Sequence, residues 1–91
     1  MKVEIISPEA ELLKTEASSI YVPGINGDFE MLNNHAPIVS LLAKGSVKIK
    51  GDIEIDDLYK DQFTKKDGYT ILNIESGTIE MSDNKIIILV D

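Results

Sequence analysis

Cysteine and arginine are both absent from this 91-residue chain, and each absence closes off a class of chemistry. Without cysteine there are no disulfide staples, no thiolate zinc site and no thiol nucleophile, so an unaided core has to hold the fold. Without arginine there is no planar guanidinium to grip phosphate or guanine with two parallel hydrogen bonds. Aromatics are scarce, three tyrosines and two phenylalanines, which leaves little with which to line a sugar cleft. No apolar run approaches the roughly 18 residues of a membrane span, and the opening Met1-Lys2-Val3-Glu4 alternates where a signal peptide would be continuously apolar. These features predict a soluble domain that does not insert into a membrane.

Positive charge is also in short supply. Nine lysines face sixteen acidic residues, for a formal charge of −7. Phosphate binding runs on clustered positive charge, so nucleic acid is excluded as an expected partner, and anionic lipid is disfavoured for the same reason. A partner with a basic face is favoured, since the charge would steer it in at long range.

What is present is apolar content of 43 %, enough for one packed globule spanning residues 1–91. A domain this size buries roughly 60–65 % of the surface its unfolded chain exposes. The apolar period is two almost everywhere: Val3 and Ile5, Ile20 and Val22, Val47 and Ile49, and Ile53 and Ile55 each alternate with other residues, mostly polar. Such alternation predicts strands with one buried face. Further strands are expected at Tyr69 to Glu75, Thr78 to Ser82 and Lys85 to Val90. The last contains Ile86-Ile87-Ile88-Leu89-Val90, a β-branched run expected to be a central strand paired on both sides and covered on both faces.

Breakers divide these runs at short intervals: Pro23-Gly24, Asn26-Gly27-Asp28, Asn33-Asn34, Lys44-Gly45, Gly51-Asp52, Asp67-Gly68, Ser76-Gly77 and Asp83-Asn84. So many turn signals predict an all-β fold, an antiparallel β-sandwich or flattened barrel of about eight to ten short strands. The charged stretch Gly51 to Gly68 reads as a hairpin tip of loop character, with at most a helical turn within Asp57 to Lys65.

Candidate chemistry is sparse. The one histidine, His35, lacks the second histidine or cysteine that catalysis or metal binding would need, which leaves a structural or interface role. Asp52, Glu54, Asp56, Asp57 and Asp61 superficially resemble a calcium loop, but Asp57 and Phe63 stand where an EF-hand requires glycine and glutamate. Gly24-Ile25-Asn26-Gly27 has the form of an RNA-binding clamp but lies between strands without basic neighbours. It is a turn, with Gly24 and Gly27 expected to supply positive φ. Pro37 biases Ala36 away from helical angles, so the chain enters the next strand extended.

Several of these landmarks fall in a known order. Val22-Pro23-Gly24, Gly27-Asp28-Phe29, Leu32, Asn34-His35-Ala36-Pro37, Leu41-Leu42 and Lys44-Gly45-Ser46-Val47 together resemble the N-terminal domain of the epsilon subunit of bacterial rotary ATP synthases. Val3 to Glu9, Ser76 to Met81 and Asn84 to Val90 are similar to that family's first strand and last hairpin. Glu30 and Met31 depart from its common pattern, which has glycine and an aliphatic residue there.

The resemblance implies a β-sandwich of about ten strands that catalyses nothing and binds no cofactor. It implies a central-stalk subunit that docks the gamma subunit onto the membrane rotor ring, at the cytoplasmic face of the bacterial plasma membrane. By matching positions, it implies a ring-facing contact at Asp28, with Gly27 and Glu30 beside it, and a gamma-facing contact at His35 and Ser40. Pro23, Gly24 and Pro37 would serve turn geometry, and Phe29, Leu32 and Leu42 the core. The family's ATP-binding helices would follow Asp91, so this stretch itself is not expected to bind ATP. A free-standing ligand- or carbohydrate-binding sandwich is the alternative from another class.

Overall fold

A computed structural model describes residues 1–91, and strands account for most of it. In chain order they are β1 (Lys2–Ile6), β2 (Glu11–Glu16), β3 (Ser19–Gly24), β4 (Gly27–Leu32), β5 (Ile38–Leu42), β6 (Gly45–Lys50), β7 (Phe63–Lys66), β8 (Tyr69–Ile74), β9 (Gly77–Ser82) and β10 (Lys85–Val90). A single 3-10 turn, Lys60–Gln62, precedes β7. The hydrogen-bonded order is β2-β1-β10-β9-β5-β3-β6-β8-β7, with β4 added on β3. The sheet curls so that its two halves, β2-β1-β10-β9-β5 and β4-β3-β6-β8-β7, pack inner face to inner face, meeting at the Gly24–Leu42 pair.

Period two explains the core. Val3 and Ile5, Ile20 and Val22, Val47 and Ile49, Leu72 and Ile74, Ile79 and Met81, and Ile86 and Ile88 all turn inward and are buried. A register shift between Ile5 and Ile6 on the β1–β2 pair accompanies burial of the consecutive Leu12 and Leu13, which strict alternation would separate. The turns follow their sequence chemistry. Asp67 (φ 54°) with Gly68 (φ 82°) and Asp83 (φ 51°) with Asn84 (φ 58°) are both left-handed, as a two-residue hairpin loop matching strand twist requires.

Several expectations are corrected. Pairing is antiparallel throughout except between β1 and β10, the chain's first and last strands, which run parallel side by side. That parallel partner and β9 do flank β10 as expected, but only one of its faces is covered: Ile86, Ile88 and Val90 are buried while Leu89 is half exposed. Ile53 to Asp56 forms no ladder. β6 closes directly on β8 at Lys50–Tyr69, so the intervening residues leave the sheet, with Ile53 tucked into the core on its own. Finally, Gly51 to Gly68 is more than a loop, since it supplies edge strand β7 and buries Phe63.

Gly24 is needed for a different reason than positive φ. It keeps ordinary strand angles, but a Cβ there would sit 2.6 Å from the Gly27 carbonyl oxygen and 2.7 Å from the Phe29 ring. Gly27 does adopt positive φ, at 123°.

Candidate docking surface

The β3–β4 hairpin turns at Ile25-Asn26, so Gly27 and Asp28 come directly after its tip. Pro23 lies where β3 switches partner, from β6 along Ser19–Tyr21 to β5 at Gly24, so its missing N–H costs no ladder bond. Its carbonyl still accepts from the Ala43 amide at 2.8 Å, and its ring packs on Gly45, where a Cβ would come within 2.7 Å. The tip is fastened to β5 by the Ile25 amide, which donates to the Leu41 carbonyl at 3.1 Å.

Asp28 and Glu30 are exposed on β4, an edge strand paired only to β3. Glu30 stands opposite Tyr21, and its carboxylate, with some burial, pushes the Tyr21 phenol above its ordinary range by disfavouring the tyrosinate. Removing that negative charge with Glu30→Gln should lower the Tyr21 pKa, moving its tyrosinate transition to lower pH in an ultraviolet titration. An unchanged titration would mean that Glu30 does not face the ring.

His35 is exposed and lies between two tethers: its amide donates to the Leu32 carbonyl at 3.2 Å, and the Asn34 amide donates to Asn84 Oδ1 at 2.8 Å. Its Nδ1 lies 2.7 Å from the Ala36 carbonyl oxygen, a contact in which Nδ1–H donates. β5 begins immediately after Pro37, in keeping with the extended entry expected there. Ser40 is partly buried and shares the inward side of β5 with Ile38 and Leu42. Leu42 and Phe29 belong to or pack on the core, whereas Leu32, expected there too, is 56 % exposed because it alternates with buried Met31 on the edge strand.

The residues that alternate with Ser40 form the larger feature. Val39 is 78 % and Leu41 57 % exposed, both on the outer side of β5. Register carries that side across the sheet: Leu41 lies opposite Thr78 and Thr78 opposite Leu89, which is 50 % exposed, with Ile6 next on β1. One row over, Val39, Glu80, Ile87 and Glu4 line up likewise. Ile25, exposed at the hairpin tip, extends the strip from Leu41 to the neighbourhood of Asp28. The result is an outer face on which Val39, Leu41, Ile87 and Leu89 lie close together, with Thr78, Glu80 and Glu4 among them, bordered by an acidic hairpin tip. Exposed apolar side chains clustered in this way mark an interaction surface on a folded protein. No group of three or more histidine, aspartate or glutamate side chains is placed to hold a metal ion. Sequence reasoning missed Val39, Leu41 and Leu89, because apolar residues in short runs look alike whichever face they take.

Comparison with known proteins gives the lineage. The family profile of the ATP synthase delta/epsilon chain, beta-sandwich domain, matches residues 1–91. The chain belongs to this family. It is 38 % identical over its whole length to the ATP synthase epsilon chain of Leptospira interrogans and spans 61 % of that relative. The Chlorobium limicola ATP synthase epsilon chain is 30 % identical, with 99 % of this chain and 88 % of the relative covered. Among solved structures, a chain in the cryo-EM structure of the Tetrahymena thermophila mitochondrial ATP synthase central stalk and c-ring superposes with a TM-score of 0.75 at 20 % identity. It covers 99 % of this chain and 62 % of its own length. The epsilon-type domain therefore shares its sandwich with that distant chain, and the expected family and fold are both met.

Proposed function

We propose that this domain is a non-catalytic central-stalk element of a rotary ATP synthase, which docks the gamma subunit onto the membrane rotor ring. Its work would be mechanical, transmitting torque between proton flow and ATP synthesis without making or breaking a bond. It would act at the cytoplasmic face of a bacterial plasma membrane, held there by protein partners and not by insertion. The observation that carries this reading is the apolar outer face of β5, β9 and β10, continuous with the acidic hairpin tip. Two adjoining surfaces of different character suit two partners. An apolar face fits a stable packed partner such as gamma, whereas exposed carboxylates fit the polar loops of a ring.

The gamma contact is assigned to Val39, Leu41 and Leu89, with His35 at its margin and Ser40 supporting β5 from the inner side. Asp28 is assigned to the ring, with Gly27 setting the turn and Glu30 beside it. A close-packed two-layer body suits torque transfer, since protein interiors yield little under load. Standard interfaces bury about 800 Å² per partner, which two faces of a 10.1 kDa domain can supply.

Charge reversal at the tip separates the two roles. Asp28 is exposed, so Asp28→Lys should alter stability by no more than about 0.5 kcal/mol. In reconstituted ATP synthase it should weaken ring association and ATP-driven proton pumping while leaving gamma binding intact. Undiminished pumping with normal ring association would refute the assignment of Asp28.

A further inference from the structure

The opposite outer face of the sandwich gathers three of the chain's nine lysines. On β6, Lys48 and Lys50 alternate with buried Val47 and Ile49 and so point outward. Register places Lys48 beside Tyr21 of β3, Lys50 beside Tyr69 of β8, and Tyr69 in turn beside Lys66 of β7. The two tyrosine rings meet edge to face, centroids 6.2 Å apart, and the Lys50 ammonium lies 5.9 Å from the centre of the Tyr69 ring. Four of the other lysines are ion-paired, Lys14 and Lys85 with Glu4, Lys44 with Glu75 and Lys60 with Asp57, while Lys65 donates to the Ile53 carbonyl. Lys48, Lys50 and Lys66 make no such ion pair. In a chain of net charge −7, Lys48, Lys50 and Lys66 gather positive charge around Tyr69, with Glu30 opposite Tyr21 on the far flank of the face.

We propose that this face binds a short, extended, acidic peptide segment of a partner protein, with its carboxylates on Lys48, Lys50 and Lys66 and its chain lying over Tyr21 and Tyr69. Charge complementarity selects the occupant. A shallow hollow of about 220 Å³ opens between Tyr21, Lys48, Tyr69 and Ser46. That is smaller than the roughly 300 Å³ at which small-molecule sites begin, but an extended chain needs no enclosure. Asp28 borders the hollow at one end, so the acidic residues of the peptide run the other way, toward Lys50 and Lys66.

Length of the ligand matters as well. A long polyanion would feel the net negative charge of the whole domain, whereas a short segment within a screening length of about 10 Å feels chiefly the lysines. Lysines without arginine also lack the fork that grips phosphate. This face lies on the other half of the sandwich from Val39, Leu41 and Leu89, so covering that strip leaves it open, and its lysine end at Lys50 and Lys66 lies away from Asp28, the residue assigned to the ring.

The test is an amide NMR titration of the 91-residue chain with a blocked hexaglutamate peptide, alongside a hexalysine peptide, a short oligothymidine and phosphatidylserine vesicles. Saturable shifts should appear on β6, β7 and β8, and raising salt from about 0.1 M to about 1 M, which shortens the screening length to about 3 Å, should remove them. Lys48→Glu with Lys50→Glu should weaken binding about tenfold, since two weak surface attractions become two repulsions. Lys66→Glu alone should weaken it less, and Lys14→Glu should leave it unchanged. Exposed positions are chosen so that the variants keep the dispersed spectrum of the folded chain. The proposal fails if hexaglutamate causes no shifts or shifts spread evenly over all lysines. It fails equally if the double variant binds as before, or if oligothymidine or vesicles bind this face more tightly than hexaglutamate.

Discussion

Replacing Leu41 and Leu89 together with aspartate should abolish measurable binding of the gamma subunit while leaving the domain folded. Both side chains are about half exposed, at 57 % and 50 %, so the uncovered part of each would contribute roughly 1 to 1.5 kcal/mol on being buried by a partner. An aspartate trapped at the same place without a partner adds a desolvation penalty of at least about 1 kcal/mol. The two sites together come to about 4 kcal/mol, or roughly a thousandfold in affinity. Stability should barely change, because neither side chain belongs to the core. Titration calorimetry against purified gamma measures the first, and thermal unfolding the second. Loss of binding accompanied by unfolding would show that the strip is structural.

The complementary experiment moves one strand layer inward. Ile79 on β9 is fully buried between the two halves of the sandwich, flanked in the ladder by Ser40 of β5 and Ile88 of β10. Ile79→Ala should cost about 2 to 5 kcal/mol, since the ladder on either side prevents the cavity from collapsing. A domain of this size shifts its Tm by about 4 to 8 °C per kcal/mol, so a drop of at least about 8 °C is expected in differential scanning calorimetry. Val39→Ala on the neighbouring strand should stay within about 0.5 kcal/mol of the parent chain. If the two substitutions cost the same, the assignment of inner and outer faces to β5 and β9 is wrong.

That pair of residues also marks how far the sequence could be read. Alternation such as Val47-Lys48-Ile49-Lys50 announces its buried face, because polar residues mark the other side. Ile38-Val39-Ser40-Leu41-Leu42 does not, since apolar side chains occur on both faces and the lone polar residue, Ser40, turns inward. Only the β5–β9 register, set by contacts distant in sequence, decides that Val39 and Leu41 look outward. The same ambiguity made Ile86 to Val90 read as covered on both faces, and it hid Leu89.

Turn chemistry carried further. Asp67-Gly68 and Asp83-Asn84 could be read as tight hairpin loops because few residues tolerate two successive left-handed conformations, and both sites adopt them. Strand β7 escaped notice for the opposite reason. Its only buried residue is Phe63, standing alone beside Thr64, Lys65 and Lys66, so no period was visible until β8 supplied a partner. Asp28 and Glu30 are singled out only through the family resemblance, and the structure leaves both exposed just after the hairpin tip. That a lysine face lies across the sandwich from the apolar strip was beyond sequence reading, since it is assembled from β3, β6, β7 and β8.

The absence of cysteine makes the most direct test clean. Single cysteines placed at Val39, Leu41 and Leu89, and at Lys48 as an outward-facing control, can each be labelled with a maleimide in the free chain and again within assembled ATP synthase. All four should react in the free chain, and the first three should be shielded on assembly while the Lys48 position remains reactive. Equal labelling of the Leu41 position in the free chain and in the complex would contradict docking through the apolar face.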